Sequence, residues 1–243
     1  MCRAAPTGTS RRLQTLSLKR RQCRDKGAEK STNSPIFYFE GYDGPVDHLI
    51  PAIVLAAGAS TRMRRAKALL PAGDRTFVRR ILDSLRDGGV GDVVVVVRPD
   101  DAAIEDQVAA AGFGRTVPNV RAEQGQLTSL LAGLEAVDAP AVAAVLVTLV
   151  DVPLITAATV RALCERVPLS PAQMVRAVYR GRHGHPVIFK RALFDPLRRA
   201  DPAVGAKAVV RAASIEDVEV DDPGVVEDVD TPADYRRVIG PMR

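Results

Sequence analysis

The sequence predicts an α/β fold in which a mostly parallel sheet is covered by helices on both faces. Apolar runs of strand length alternate along the chain with segments of helical periodicity. The strongest runs, at residues 50–58, 93–97 and 143–149, are almost wholly apolar, as in strands that are buried on both faces. Two later runs, at residues 174–179 and 186–189, flank a polar turn and predict a hairpin that adds antiparallel character.

Helical segments separate these runs in a Rossmann-like order. Residues 77–87 place apolar side chains at helical spacing, and Gly88 and Gly89 end the segment. In open sheets of this kind, ligands bind beyond the carboxyl ends of the strands, so chemistry is expected just after residues 55, 97 and 149. Further helices are predicted at 101–111, 127–137, 157–166, 191–199, 203–213 and 232–238, with short strands at 120–121 and 218–220 and a polar turn at 180–185.

The charge of the chain is unevenly distributed. The whole chain carries +5, but residues 1–30 hold nine Lys or Arg against two acidic residues, which leaves −2 on the remaining 213 residues. A nucleic-acid-binding face on the folded body is therefore not predicted. Nucleic-acid binding by the basic tail remains an alternative. The polar, basic composition predicts a disordered tail over residues 1–34, a linker over 35–48 and one folded domain over 49–243.

Composition also narrows the class of protein. Apolar residues make up 47% and charged residues 26%, as in an ordinary globular chain. The most apolar stretch, residues 142–155, contains Asp151 and is too short to span a bilayer, so no membrane role is expected. Three cysteines cannot form a disulfide framework, which favours a reducing, cytoplasmic compartment.

The first candidate motif is LAAGASTRM at residues 55–63, followed by Lys67. Its small residues allow backbone N–H groups to approach an anion closely, and Arg62 and Lys67 follow at a distance that can wrap a triphosphate. The alternative is a strand-to-loop turn beside a solvated basic cluster. The phosphate hypothesis assigns catalytic roles to Arg62 and Lys67, and nucleotide contacts to Leu55, Ala56, Ala57, Gly58 and Ser60.

Two acidic residues are candidate metal ligands. Asp151 follows an apolar strand, where a carboxylate is costly unless a cation such as Mg²⁺ compensates it, and the alternative is a helix cap or a loop acid. Asp230 precedes Thr231 and Pro232, which together read as a helix N-cap and first helical position. The alternative for Asp230 is therefore a favourable interaction with the helix dipole.

Two of the three histidines, His183 and His185, lie in the segment GRHGHPV at residues 181–187. They are candidate metal ligands or, as the favoured interpretation, part of a turn that contacts a substrate.

Taken together, these segments resemble the signature of the MobA-like nucleotidyltransferases over about residues 50–240. Residues 55–63 with Lys67 and the following LLP carry the resemblance, and DVPL at 151–154 resembles the family's D-x-P metal motif. The segments GQLTSL at 125–130, GHPV at 184–187 and DVDTP at 228–232 resemble later family motifs in the expected order. The LAAG and GHPV segments are most similar to molybdenum cofactor cytidylyltransferases.

The sequence departs from the family pattern at two places. Arg64 stands where the family usually has glycine, and it either narrows the phosphate loop or adds a phosphate contact. The segment DPAVGAK at residues 201–207 is similar to a family G-D-x-G-A-R stretch, with Ala200 in place of its glycine, two inserted residues and Lys207 in place of its arginine.

The resemblance implies transfer of CMP from CTP to a molybdopterin-type cofactor, with release of pyrophosphate. It implies that Arg62 and Lys67 hold the phosphates, that Asp151 and Asp230 hold Mg²⁺, and that Ser129 contacts the nucleotide. His183 and His185 would contact the acceptor, and a molybdoenzyme or its chaperone would receive the product. The alternatives are GTP or another nucleotide with a different phosphate acceptor, and a non-catalytic nucleotide or cofactor carrier.

Overall fold

The structure of the chain, a computed structural model, describes residues 50–60, 62–63 and 65–241. The predicted tail at 1–34, the predicted linker at 35–48 and the unusual Arg64 lie outside the described residues.

Nine strands and seven α-helices are present in the described part of the chain. The strands are β1 (Ala52–Leu55), β2 (Pro71–Ala72), β3 (Arg75–Thr76), β4 (Val93–Val97), β5 (Arg115–Pro118), β6 (Ala144–Leu149), β7 (Met174–Tyr179), β8 (Arg182–Lys190) and β9 (Ile215–Glu219). The helices are α1 (Phe77–Asp87), α2 (Ala102–Ala111), α3 (Gln126–Val137), α4 (Ala157–Arg166), α5 (Phe194–Arg198), α6 (Lys207–Ala212) and α7 (Pro232–Val238). Among these residues, no helix is long and apolar enough to cross a membrane.

The main sheet has the strand order β5-β4-β1-β6-β8-β7-β9, and β2 and β3 form a separate short hairpin. Strand β1 pairs in parallel with β4 on one side and with β6 on the other. Strand β8 runs antiparallel to both β6 and β7, whereas β9 is parallel to β7. The predicted mostly parallel α/β sheet with an antiparallel hairpin is thus confirmed. The strand order reverses at β1, which creates a crevice at the carboxyl ends of β1 and β6.

Alternate residues of each central strand face opposite layers of the core. In β1, Ala52 and Val54 pack with residues of α1, α2 and α4, while Ile53 and Leu55 pack with residues of α3, α5 and α6. Because successive side chains of a strand point to opposite faces, a continuously apolar strand such as β4 must be covered on both sides. The two helical layers supply that cover and bury β1 on both faces.

The short strand predicted at 120–121 is wrong, because the edge strand lies earlier, at Arg115–Pro118. After Pro118 the chain turns away from the sheet, and Val120 is 79% exposed. The turn is held by Asn119, whose side-chain oxygen accepts a hydrogen bond from the Arg121 N–H at 2.9 Å. The late strand predicted at 218–220 also begins earlier, at Ile215.

The polar turn predicted at 180–185 is shorter than the polar sequence suggests. Arg180 and Gly181 have φ values of 50° and 74°, which is the left-handed pair that a two-residue hairpin turn requires. Strand β8 therefore begins at Arg182, and His183 and His185 lie in a strand rather than in a turn. The helices predicted at 191–199 and 203–213 are likewise shorter, as α5 and α6, and Arg191–Leu193 form a 3₁₀ turn.

Gly133 allows α3 to lie directly on the sheet. A β-carbon at this position would overlap Cγ2 of Ile53 in β1 and would come within 3.1 Å of Cγ2 of Val96 in β4. Any larger side chain must push the helix away from the strands.

We expect Gly133→Val to lower the free energy of unfolding by about 1–3 kcal/mol, because interiors this tightly packed respond to extra volume with strain. Each kcal/mol corresponds to a fall of about 2–4 °C in melting temperature for a domain of this size. Glu135→Val places the same side chain on the exposed face of α3 and controls for the low helix propensity of valine. Equal melting temperatures for the two variants would contradict the close packing of α3 on the sheet.

Candidate active site

A cleft of about 340 Å³ lies at the carboxyl ends of β1 and β6, where the strand order reverses. One wall is the loop that follows β1, the floor is the turn that follows β6, and the opposite wall is the start of α3. The lining residues are Leu55, Ala57, Gly58, Ser60, Arg62, Lys67, Ala122, Gly125, Gln126, Ser129, Leu149, Val150, Asp151 and Asp230.

The ammonium group of Lys67 joins two carboxylates at this cleft. Its Nζ donates to Oδ2 of Asp151 at 3.0 Å and also to Oδ1 of Asp230. Arg62 Nη1 adds a weaker contact to Oδ2 of Asp230 at 3.4 Å. The structure thus brings together four residues that the sequence places up to 168 positions apart.

The loop after β1 places Lys67 in this position. Ser60 has a φ of 48°, so the chain reverses here, and Ser60 O accepts a hydrogen bond from the Met63 N–H at 3.0 Å. The Ser60 hydroxyl oxygen accepts from the Lys67 N–H at 3.2 Å, which fixes the start of a 3₁₀ turn at Lys67–Leu69. The Lys67 side chain is only 12% exposed, whereas that of Arg62 is 70% exposed at the rim.

Burial and charge act in opposite directions on Lys67. Burial disfavours the ammonium and lowers its pKa, but hydrogen bonds and attraction from Asp230 and Asp151 outweigh burial and raise the pKa above its usual value. Lys67 is therefore a permanent positive charge at neutral pH. Without it, the two carboxylates would repel each other.

Asp151 is held by backbone contacts on both sides. Val150 N–H donates to Leu55 O at 3.1 Å, which continues the β1–β6 pairing to the edge of the cleft. Asp151 O accepts from the Val229 N–H at 2.8 Å, which brings the segment containing Asp230 alongside. The second carboxylate oxygen of Asp151, Oδ1, is buried and has no hydrogen-bond partner among the described residues. A buried carboxylate oxygen of this kind is suited to bind a cation.

Asp230 does not cap the helix that follows it. The capping box of α7 is formed by Thr231 and Asp234, each of which bonds the backbone of the other. Hydrogen bonds from Thr231 lower the pKa of Asp234, so Asp234 fills the role that sequence left open for Asp230. The Asp230 carboxylate remains directed at Lys67 and Arg62.

The carboxylates of Asp151 and Asp230 fit a divalent cation. Mg²⁺ is commonly held by one or two carboxylates, with phosphate oxygens and water completing its shell. Within the described ranges, no group of three or more His, Cys, Asp or Glu side chains forms a closed metal site. Asp151 Oδ1 has no partner among the described residues, and the carboxylates of Asp151 and Asp230 lie close together because both contact Lys67. Both features fit a metal that binds together with a phosphate ligand.

The small residues after β1 divide between core and cleft. Leu55, Ala57 and Gly58 line the cleft, and a β-carbon on Gly58 would meet no atom within 4 Å, so the backbone is open to a ligand here. The Ala56 side chain points to the opposite face of the sheet, where it is buried in the core that includes residues of α1, α2 and α4. Its side chain therefore has a packing role, which the strand period of two explains.

The opposite wall is the N-terminus of α3, which begins after Gly125. Gly125 has a φ of 107° and provides no side-chain cap; the Thr128 N–H bonds to Gly125 O at 3.2 Å, so the N–H groups of Gln126 and Leu127 are left for a ligand. Gln126 and Ser129 line the cleft from the first turns of the helix. This geometry suits the acceptor atoms of a nucleotide.

A buried polar network behind this wall escaped the sequence analysis. Asn119 is 2% exposed, and its amide donates to Oγ1 of Thr128 and to Oγ of Ser129, both at 2.9 Å. Thr128 Oγ1 in turn donates to the carbonyls of Arg121 and Gly125, each at 2.8 Å. A polar residue directly after the last residue of an edge strand is the only local signal for Asn119, and that signal is weak.

Neither predicted histidine lines the cleft. His183 is exposed on β8, and His185 is half-buried. Burial lowers the pKa of His185 to about 4, and the nearby charge of Asp151 opposes that shift, so the imidazole is neutral at neutral pH. Gly184 separates them, and its missing side chain lets β8 lie against the backbone of Val225.

Comparison with known proteins places this site in a family. The family model described as MobA-like NTP transferase domain matches residues 52–218. Nicotine blue oxidoreductase from Paenarthrobacter nicotinovorans is 30% identical over 203 residues, which cover 78% of this chain and 96% of that protein. Bifunctional protein GlmU from Sinorhizobium medicae is 35% identical over 113 residues, or 46% of this chain; the chain spans about a quarter of the length of that relative, since 25% of it is covered.

Solved structures show the same relationship. Rv0371c from Mycobacterium tuberculosis H37Rv is similar with a TM-score of 0.68 and 29% identity, over 79% of this chain and 99% of that one. A structure of Rv0371c in complex with manganese is similar with a TM-score of 0.63 and 28% identity, over 80% of this chain and 99% of that one. Because the family model covers well over half of the sequence, including both walls and the floor of the cleft, the chain belongs to the MobA-like NTP transferase family.

Proposed function

We propose that the chain is a nucleotidyltransferase that moves CMP from CTP to a molybdopterin-type cofactor and releases pyrophosphate. The observation that carries this proposal is the convergence of Lys67, Asp151 and Asp230 at one cleft. The two carboxylates can bind a metal, and the Lys67 ammonium between them can bind the oxygens of a triphosphate. Membership of the NTP transferase family supports the same class of reaction.

The proposed reaction is an in-line displacement at phosphorus. An oxygen of the acceptor's terminal phosphate attacks the α-phosphorus of the nucleotide, and the bond from that phosphorus to the bridging oxygen of the β-phosphate breaks. Pyrophosphate leaves with the electron pair of that bond. Such a reaction asks the protein for alignment and charge neutralisation rather than for covalent chemistry.

Lys67 and Arg62 supply the positive charge in this scheme. Lys67 lies deep in the cleft at a fixed position, where its ammonium would contact the phosphates that leave as pyrophosphate. Arg62 lies at the rim with a mostly exposed side chain, and its planar guanidinium would close over the phosphate chain as a bidentate partner. The two residues thus would bind the triphosphate from the floor and from the rim.

Asp151 and Asp230 would hold a divalent cation, which we propose to be Mg²⁺. When bound, such a cation supplies charge neutralisation for the phosphates at the reacting end of the nucleotide. The backbone at Ala57 and Gly58 would face the nucleotide from one wall, and Ser129 from the other. The Ser129 hydroxyl accepts from Asn119 and keeps its own hydrogen to donate to the nucleotide.

The choice of CTP and of the acceptor is supported by sequence pattern. The LAAG and GHPV segments are most similar to molybdenum cofactor cytidylyltransferases. On this proposal the product passes to a molybdoenzyme or its chaperone. GTP with another phosphate acceptor is the nearest rival for the same site.

An oxidoreductase is a second candidate, favoured by the relationship to nicotine blue oxidoreductase over 96% of that protein's length. The two candidates make different demands on the site. Two carboxylates on a shared cation suit the binding of phosphates and a metal, and hydride transfer has no evident need of them. Loss of activity on neutralising the carboxylates would therefore favour nucleotidyl transfer.

The function is tested by pyrophosphate release from each of the four ribonucleoside triphosphates in the presence of a molybdopterin acceptor. We expect release with CTP that depends on both the acceptor and a divalent cation. Preference for GTP would replace the nucleotide in the proposal, and nucleotide binding without pyrophosphate release would favour a carrier.

Asp151→Asn and Asp230→Asn are each expected to abolish most metal-dependent activity while the melting temperature stays close to that of the parent. Each change keeps the size of the side chain but removes one charge from the cation site. The double variant should lose much less than the two single losses added together, because both residues serve one unit. Asp228→Asn changes an exposed carboxylate two residues away and should leave activity unchanged. Additive losses, or equal loss in Asp228→Asn, would argue against a shared site.

Lys67→Ala is expected to lower kcat/KM for the nucleotide. The expected loss of transition-state stabilisation is about 2–4 kcal/mol, as for loss of a preorganised donor to a developing negative charge. The same change should tighten Mn²⁺ binding in the absence of nucleotide, since the two carboxylates lose their internal counter-ion. Electron paramagnetic resonance of free Mn²⁺ measures that binding. Arg211→Ala removes an exposed positive charge on α6 and should alter neither quantity. Unchanged efficiency in Lys67→Ala would remove Lys67 from the site.

A further inference from the structure

A small hydrophobic core lies apart from the two cores that cover the sheet. We call it the satellite core, and its buried members come from the loop after β1, the β2 region, the start of α1 and the C-terminal segment. None of them is more than 7% exposed. The members are Met63, Leu70, Ala72, Phe77, Val229 and Tyr235.

Three charged residues of the site lie close in sequence to members of this satellite core. Arg62 directly precedes Met63, and Asp230 directly follows Val229. The 3₁₀ turn Lys67–Leu69 is followed directly by Leu70, whose N–H bonds to Lys67 O at 3.0 Å. The satellite core therefore fixes the relative positions of side chains that come from opposite ends of the domain.

Tyr235 makes the contacts that join these segments. Its ring stacks on that of Phe77, with centroids 6.1 Å apart and planes inclined by 14°. Its hydroxyl donates to Pro71 O at 2.7 Å, although the two residues are 164 positions apart. Its own N–H donates to Thr231 O at 2.9 Å, which ties the ring to the turn that carries Asp230.

We propose that Tyr235 is a positioning residue that holds the Asp230 carboxylate beside Asp151 and Lys67. This inference rests on the proposed function, because it concerns the cation site of the same reaction. Tyr235 is not among the residues that line the cleft, and its hydroxyl bonds to Pro71 rather than to a site side chain, so it would act through the backbone of residues 229–231 and through the β2 strand that follows Lys67. A carboxylate moved by about 1 Å loses much of its value for binding and catalysis.

The contact is directional, which separates it from simple filling of space. Phenylalanine at position 235 would keep the stacking on Phe77 but would lose the hydrogen bond to Pro71. Leucine would lose both contacts while remaining apolar. The Asp230 carboxylate should therefore be held best in the parent, less well in Tyr235→Phe and least well in Tyr235→Leu.

The test compares Tyr235→Phe and Tyr235→Leu with Phe194→Leu. Phe194 is 2% exposed in the core that includes residues of α3, α5 and α6, and it serves as a matched buried aromatic residue away from the satellite core. Three quantities are measured in the full chain: melting temperature, binding of Mn²⁺ in the presence of CTP by electron paramagnetic resonance, and the KM for Mn²⁺ against kcat. We expect the Mn²⁺ dissociation constant to rise at least about tenfold in Tyr235→Leu and by less in Tyr235→Phe, with kcat largely restored at saturating Mn²⁺. Phe194→Leu should lower the melting temperature without changing Mn²⁺ binding.

A double-mutant cycle identifies the residue through which Tyr235 acts. In the Asp230→Asn background, Tyr235→Leu should add little further loss of Mn²⁺ binding, because the carboxylate that it positions is already gone. Fully additive losses would overturn the inference, as would equal changes in Mn²⁺ binding for Tyr235→Leu and Phe194→Leu. Should Tyr235→Leu fail to fold, Tyr235→Phe carries the same comparison, and unchanged Mn²⁺ binding in that variant would overturn the inference.

The readouts separate this inference from the proposed function. Graded Mn²⁺ binding without pyrophosphate release from any nucleotide would support the positioning role and contradict nucleotidyl transfer. Pyrophosphate release with Mn²⁺ binding that ignores position 235 would support the function and overturn the positioning role. Failure of the parent to bind Mn²⁺ with CTP would overturn both.

Discussion

Two carboxylates share one ammonium in this protein, and that ion triplet sets the main constraint on the site. Asp151 and Asp230 both contact Lys67 in a place where the Lys67 side chain is largely removed from water. Two carboxylates that share one site repel each other, and one of them tends to bind a proton unless a positive charge lies between them. The cleft is therefore built around a cation, and any ligand that binds there must satisfy the same balance of charge.

That balance depends on three chain segments that meet only in the folded state. The end of β6 delivers Asp151, the loop after β1 delivers Lys67, and the C-terminal segment delivers Asp230. One backbone hydrogen bond, from Val229 N–H to Asp151 O, joins the last segment to the first. The satellite core then packs the C-terminal segment against the loop that follows β1.

The rest of the cleft is graded from buried to exposed. Lys67 lies at the floor, Asp230 is intermediate, and Arg62 extends into solvent at the rim, with side-chain exposures of 12%, 39% and 70%. A buried part of a site is surrounded by fixed neighbours, whereas an exposed rim can adapt to different partners. This division accords with a family whose relatives carry names as different as GlmU and nicotine blue oxidoreductase. Behind the opposite wall, the Asn119 network fixes the start of α3 without entering the cleft.

The sequence by itself determined the fold class and the bounds of several elements. Helices α1, α4 and α7 and strands β4 and β7 lie at the predicted residues, because periodicity, glycine stops and the Thr-Pro helix start act over a few neighbours. The hairpin turn was predicted too long because the polar residues at 182–185 belong to β8, and the positive φ values of Arg180 and Gly181 mark the true turn.

The sequence indicated Arg62, Lys67, Asp151 and Asp230 as candidates. Spacing alone also allowed a solvated basic cluster for the first two and a capping or loop role for the two acids. Tertiary structure decided that Asp234 caps α7, that Asp230 turns toward Lys67, and that Ala56 packs in the core. It also decided the roles of Asn119, which has only a weak local signal, and of Tyr235. Their partners lie 9 and 164 positions away, and a hydrogen bond between distant residues exists only once the sheet has brought both ends together.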